Sequence, residues 1–356
     1  METKSGRMGK IKLLVVSLYN DTVTVRPEAE IFLALAKRNF DITVVTPKGS
    51  YYAHEFEKAG IKVIDHYPNK RFSLKTISLL RSELKKENYD ILQLFASRGI
   101  YNGLFASMFL PVKVVLYRGY QGHIQWWNPL CYLKILNPRA DYIICLTKGI
   151  QANLQKHLLW NSHKAVLIYK GHDTHWYSQI SKASLQEFTI PPDAYIFSCV
   201  ANARKFKGIK YLLKATHYLP HDSSIHILLI GNGMYSKEFD TLIKSSPIKH
   251  NIHRAGYRKN ALELVNACNA SVLPSIGGEG LSKVVIEAMC LKKPVIATTI
   301  DGVSELGIHN ETALFVPPAN PKALADKMIF LSNNQEFGTS LGEKAYSFIK
   351  HNFSLH

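Results

Sequence analysis

Ser271-Val272-Leu273-Pro274-Ser275-Ile276-Gly277-Gly278-Glu279-Gly280-Leu281-Ser282-Lys283-Val284-Val285-Ile286-Glu287 reads as a strand, a glycine loop and a helix. The apolar start has the length of a buried parallel strand, and the glycines break it before a helix that begins inside the motif. Glu279 and Glu287 are then a little over two turns apart at 3.6 residues per turn, on one side, the first at the helix mouth. The N–H groups of Leu281, Ser282 and Lys283 lack intrahelical partners there and point at whatever occupies the mouth. Carboxylates accept hydrogen bonds from neighbouring sugar hydroxyls, and a helix end welcomes phosphate, so the segment suits a nucleotide sugar.

Outward from this stretch, apolar runs alternate with helical periodicity. Strands are expected at Lys12–Ser17, Ile42–Thr46, Lys62–Ile64, Ile91–Phe95, Lys113–Tyr117, Tyr142–Leu146 and Ala165–Ile168, with helices at Glu28–Arg38, Leu74–Lys86, Gly99–Phe109 and Lys148–Leu158. The pattern resumes with strands at Ile196–Val200, Ile225–Ile230, His250–His253, Ala270–Leu273, Pro294–Ala297 and Ala313–Val316. Such alternation implies parallel sheets covered on both faces. The polar, turn-rich stretch between them places a hinge at 170–193, separating a domain at 1–169 from a second at 194–356. In such sheets ligands bind beyond the carboxyl ends of strands. There, Arg204-Lys205-Phe206-Lys207-Gly208 puts cations before a glycine and a helix (Ile209–Tyr218), an arrangement that grips a diphosphate.

Glu279 to Glu287, with Ala288-Met289 and Pro294-Val295-Ile296-Ala297-Thr298 behind them, resembles the E-x7-E signature of the retaining GT-B glycosyltransferases of family GT4. The resemblance implies an α/β GT-B fold, two doubly wound Rossmann-like domains facing across a cleft, with 1–169 acceptor-binding and 194–356 nucleotide-sugar-binding. It implies a retaining hexosyl transfer from a nucleotide diphosphate sugar, UDP-sugar favoured and GDP-sugar admissible, to a glycan or lipid-linked acceptor in cell-surface polysaccharide biosynthesis. Glu279 would hold the donor sugar and Glu287 the ribose, with Gly280, Leu281 and Ser282 at the phosphates. Arg204 and Lys207 match the family's pyrophosphate element, although Ala201-Asn202 stands where Gly-Arg is usual and the arginine falls two positions later. Gly231 and Gly233 match a donor-side loop, and Tyr257 and Arg258 a loop whose backbone meets the base. Acceptor-side expectations are Arg26 at the mouth of the first helix, and Arg118 and His123 in a glycine- and aromatic-rich loop. Lys170-Gly171-His172-Asp173 resembles the family's hinge motif. Phe353-Ser354 resembles the start of a last crossover helix that the sequence, ending at His356, does not continue. No D-x-D motif occurs, so no metal and no cofactor is expected beyond the nucleotide sugar. A phosphorylase or nucleotide-sugar epimerase on the same scaffold is the rival enzyme.

At 356 residues and 46% hydrophobic the chain is long enough for two cores. Cys131, Cys145, Cys199, Cys268 and Cys290 are scattered without a C-x-x-C pair, as expected of reduced thiols in a cytoplasmic protein. The net charge of +17 suits phosphorylated ligands, anionic lipid or nucleic acid. No RRM, KH, zinc or helix-turn-helix pattern supports the last. The densest basic run, Lys70 to Lys86, carries Phe72, Ile77, Leu80 and Leu84 at helical spacing and is expected to rest on an anionic membrane surface at the inner face of the cell membrane.

Overall fold

The computed structural model describes residues 9–22, 24–120, 122 and 124–355. It divides into two compact units, Met1–Lys170 and Gly171–His356, each considered by itself.

The first unit runs β1 (Ile11–Val16), α1 (Arg26–Ala36), β2 (Phe40–Thr46), α2 (Tyr51–Lys58), β3 (Lys62–Asp65), α3 (Leu74–Glu87), β4 (Ile91–Leu94), α4 (Ala96–Ala106), β5 (Lys113–Arg118), α5 (Pro129–Tyr132), β6 (Tyr142–Cys145), α6 (Lys148–His157) and β7 (Ala165–Leu167). Its parallel sheet has the order β3-β2-β1-β4-β5-β6-β7. The inner strands are buried on both faces, which is why they read as near-continuous apolar runs. The strand order reverses between β1 and β4, so the loops at their carboxyl ends diverge and leave a crevice.

The second unit runs β8 (Tyr195–Val200), α7 (Ile209–Ala215), β9 (Ile225–Ile230), α8 (Lys237–Lys244), β10 (Ile252–Gly256), α9 (Ala261–Ala267), β11 (Ala270–Leu273), α10 (Lys283–Cys290), β12 (Val295–Thr298), β13 (Leu314–Val316), α11 (Pro321–Asn333) and α12 (Gln335–Asn352). Its sheet order, β10-β9-β8-β11-β12-β13, reverses between β8 and β11. Phe197, Ile227, Leu229, Val272 and Ile296 form its core with Leu212, Leu213, Leu324 and Met328 from the covering helices. Past α12, Phe353 is buried and its carbonyl accepts from the His172 N–H at 2.7 Å.

Three expectations need correcting. The helix of the opening stretch begins at Lys283, because Ser282 is its extended N-cap (φ −68°, ψ 106°), so Leu281 lies outside the helix and Glu279 sits in the loop before it. Val284 and Val285 take Leu281's place among the N–H groups at the helix mouth. The strand expected at His250–His253 starts instead at Ile252, since Lys249–Asn251 form a 3-10 turn, and it extends to Gly256. Arg118, expected in a loop, is the buried last residue of β5. The short helix α2 is missing from the sequence reading, although Ser50 caps it by accepting from the Ala53 N–H.

Candidate functional site

Four loops of the second unit meet at the carboxyl ends of β8 to β11. After β8 the chain turns through Arg204 to Gly208, whose φ of +66° only glycine takes readily. A Cβ there would lie 1.9 Å from the Pro274 carbonyl oxygen, so the loops after β8 and β11 touch backbone to backbone. The Ile276 N–H donates to the Phe206 carbonyl at 2.7 Å across the same seam. Gly231, at φ +137°, allows a second close approach, with a virtual Cβ 2.1 Å from the Ala201 oxygen.

This seam brings Lys207 to Glu279. The Lys207 Nζ lies 2.7 Å from Glu279 Oε1, with the carboxylate side chain 9% exposed. The same oxygen accepts from the buried Ser275 hydroxyl at 2.6 Å. Ser275 is anchored in turn, its carbonyl accepting from the Thr298 hydroxyl at 2.5 Å. Glu279 Oε2 receives no hydrogen bond from the described residues and retains its lone pairs for ligand hydroxyls.

A cavity of about 370 Å³ opens between the loops, lined by Arg204, Lys207, Gly231, Tyr257, Arg258 and Val284, among others. Val284 belongs to the first turn of α10, and no side chain caps that helix. The cavity therefore combines the Arg204 and Lys207 cations with unsatisfied backbone donors, the composition of an anion site. Arg258 is held at its rim by Glu187 and by donating from Nε to the Ala255 carbonyl at 3.0 Å. Tyr257 is exposed, and Gly233 adjoins Ala203. Gly280 and Leu281 are half-buried and Ser282 is buried, in the loop leading to α10.

Glu287 lies within α10 with a side chain only 12% exposed, 3.0 Å from Lys283 Nζ. Burial raises its carboxyl above the usual 4.5, and the Lys283 charge opposes the rise. A carboxyl raised in the fold stabilises the protein while protonated. That contribution is complete below the unfolded value and is lost as pH climbs through the higher folded one. Glu287→Gln should therefore flatten the pH dependence of stability above about pH 4 and raise the neutral-pH melting midpoint by up to about 2–4 °C per kcal/mol recovered. Thermal unfolding across pH checks this, and a lower midpoint at pH 7 would contradict the electrostatic account.

In the first unit, a pocket of about 460 Å³ occupies the crevice where the strand order reverses. It is lined by Ser17 after β1, Phe95 to Ser97 after β4, Arg118 to Tyr120 after β5, and Glu28 and Lys134. Arg118 is 5% exposed, its guanidinium 4.3 Å from the Tyr120 ring centre. Glu28 Oε1 meets Lys170 Nζ at 3.0 Å. Arg26 is the half-buried first residue of α1; Thr24 does not cap that helix, because its N–H and hydroxyl donate to Asp21 instead. His123 lies outside the described residues.

Sequence reasoning passed over Ser275, Lys134 and Glu28 as members of a site. Ser275 carried a signal, its place where a buried strand meets a glycine loop, whereas Lys134 sits between Leu133 and Ile135 with nothing local to mark it.

Residues 181–348 match the model of the glycosyl transferases group 1, and residues 29–176 match that of Glycosyltransferase Family 4. Between them these models span most of the chain, which belongs to the GT4-type glycosyltransferases of GT-B fold. An uncharacterized glycosyltransferase of Methanocaldococcus jannaschii, MJ1069, is 24% identical over 89% of this chain and 87% of its own length. MJ1178 of the same organism is 28% identical over 62% of this chain and 57% of its own. The O-antigen biosynthesis glycosyltransferase WclY of Escherichia coli is 25% identical over 66% and 62%. In fold, a glycosyltransferase from Rickettsia africae superposes with a TM-score of 0.80 at 20% identity, covering 97% of this chain and 95% of that one. Anabaena HepE, in complex with UDP, superposes with 0.77 at 18% identity, covering 97% and 96%.

Proposed function

We propose that the chain transfers a sugar, with retention at the anomeric carbon, from a nucleotide diphosphate sugar to a glycan or lipid-linked acceptor of cell-surface polysaccharide synthesis. The observation that carries this reading is the second-unit cavity, where Arg204, Lys207 and the uncapped start of α10 surround diphosphate-sized space with Glu279 fixed beside Lys207. The acceptor hydroxyl attacks the anomeric carbon on the face the leaving group departs from. Its oxygen forms the new bond as the bond to the β-phosphate oxygen breaks, and its proton passes to that phosphate. Arg204, Lys207 and the α10 N–H groups stabilise the charge gathering on the diphosphate, in place of a metal ion. Glu279 orients the sugar through hydroxyl hydrogen bonds, and Glu287 receives the ribose. A UDP-sugar is the first donor to try, since HepE structures of like fold hold UDP and UDP-glucose, and WclY supports a cell-surface product. Proton NMR of the product tests the reaction. The donor's anomeric configuration in a new glycoside supports it, whereas an epimerised nucleotide sugar or a free sugar phosphate would contradict it.

The acceptor side of this reading includes a membrane surface. Among the described residues, no helix is long and apolar enough to cross a membrane. Of the stripe expected on α3, Leu80 and Leu84 pack inward, and Arg81 is engaged by the Ala106 and Met108 carbonyls of the neighbouring α4 segment. Phe72 and Leu74 remain outside, next in sequence to exposed Lys70, Arg71 and Lys75, and Phe109, 91% exposed, follows the Met108 carbonyl that Arg81 engages. Exposed apolar side chains flanked by cations suit an anionic bilayer, each cation adding about 1 kcal/mol. Sedimentation with anionic vesicles should fall several-fold in Leu74→Ser/Phe109→Ser, and no preference for anionic over neutral vesicles would contradict the idea.

A further inference from the structure

The first-unit pocket holds two cations without a matching carboxylate. Arg118 is 95% buried by the 5% exposure of its residue, and its Nε has no hydrogen-bond partner among the described residues. Lys134 Nζ reaches over the same space to donate to the Ser97 hydroxyl at 2.6 Å. Neither cation has a carboxylate within salt-bridge distance among the described residues. Glu28 lines the pocket too, but Lys170 Nζ holds its Oε1 and the buried Tyr117 hydroxyl hydrogen-bonds to it. Ala96 and Ser97 of the first turn of α4 line the same pocket; no side chain caps that helix, and Ala96 takes a φ of +51°. The backbone donors of that turn add positive potential at the same place.

A buried charge without a carboxylate is costly, and the convergence of buried Arg118 with half-buried Lys134 on a helix start calls for an anion. Burial depresses Arg118 below its ordinary value, and Lys134 is depressed by burial and then by the Arg118 and Arg71 charges, with Tyr120 opposing. A bound anion relieves both. A guanidinium fork and a compact ammonium together fit a tetrahedral dianion better than a neutral hydroxyl. Phe95, Tyr117, Tyr120 and Ile135 cover the rest of the pocket with apolar surface.

We propose that this pocket takes an acceptor bearing a phosphate ester, the phosphate held by Arg118, Lys134 and the first turn of α4. The word acceptor rests on the transferase reading above; the anion site does not. The phosphate belongs either to a soluble sugar phosphate or to a lipid phosphate, and the test has an arm for each.

With UDP present throughout, the full chain is titrated with glucose 6-phosphate against glucose. In the second arm it is titrated with phosphatidylcholine vesicles carrying a polyprenyl phosphate against vesicles carrying the polyprenol. The phosphorylated probe of at least one arm should bind about tenfold more tightly than its neutral partner, and the responding arm identifies the source. Arg118→Met and Lys134→Met should each remove about tenfold of that preference while UDP binds as before. Because Arg118 is buried, the half-buried Lys134 keeps the test decisive if the arginine variant fails to fold. No phosphate preference in either arm, or an undiminished preference in Lys134→Met, overturns the proposal. A wild type that prefers phosphate yet binds no nucleotide supports the anion site and refutes the transferase reading; the converse removes the site alone.

Discussion

Glu279→Ala should lower turnover by about a hundredfold while nucleotide affinity holds or improves. The two effects part because Glu279 does two things. In the proposed reading its free oxygen holds the donor's hydroxyls, so its loss misplaces the reacting sugar. Its other oxygen restrains Lys207 at 2.7 Å, so its loss releases an ammonium toward the diphosphate. Ser275 loses an acceptor as well, but its hydroxyl can turn. Single-turnover kinetics beside a nucleotide titration separate the terms. Weakened nucleotide binding with unchanged turnover would show that Glu279 serves the nucleotide and not the sugar.

The second large effect is structural. Gly208→Ala should destabilise the second unit by roughly 3 kcal/mol or more, adding the strain of a left-handed alanine to an overpacked contact. A methyl 1.9 Å from the Pro274 carbonyl forces apart the loops that carry Lys207 and Glu279. The melting midpoint should fall by about 6–12 °C, with nucleotide binding lost below it. Gly256→Ala provides the control. Its φ of +68° is nearly the same, yet its nearest neighbour would be a Tyr235 ring atom at 3.8 Å, so only the backbone strain remains. Equal losses in the two variants would mean that the seam between the loops carries no special energy.

The alternation of elements was legible because parallel strands buried on both faces leave long apolar runs, and the element order of both sheets follows it closely. Boundaries were less legible where tertiary contacts decide them. The spacing of Glu279 and Glu287 suggested a shared helix face, but Gly277 and Gly278 at positive φ carry Glu279 into a loop, where Lys207 rather than a helical turn orients it. The basic turn at Arg204 to Gly208 was readable as an anion site from its place after a strand. Its partnership with Glu279, 72 residues on, was not, since only the touching of two loops creates it. Lys134 was invisible for the same reason, brought to Ser97 and Arg118 by the fold of the first unit alone.

The central claim is that the second unit holds a nucleoside diphosphate against Arg204, Lys207 and the start of α10, with Glu287 on the ribose. Calorimetric titration with UDP, GDP and ADP, in wild type and in Glu287→Ala, tests it most directly. Micromolar binding of one nucleotide, weakened at least tenfold in Glu287→Ala, is the expected result. Binding of none of the three, or equal binding in the variant, would contradict the account.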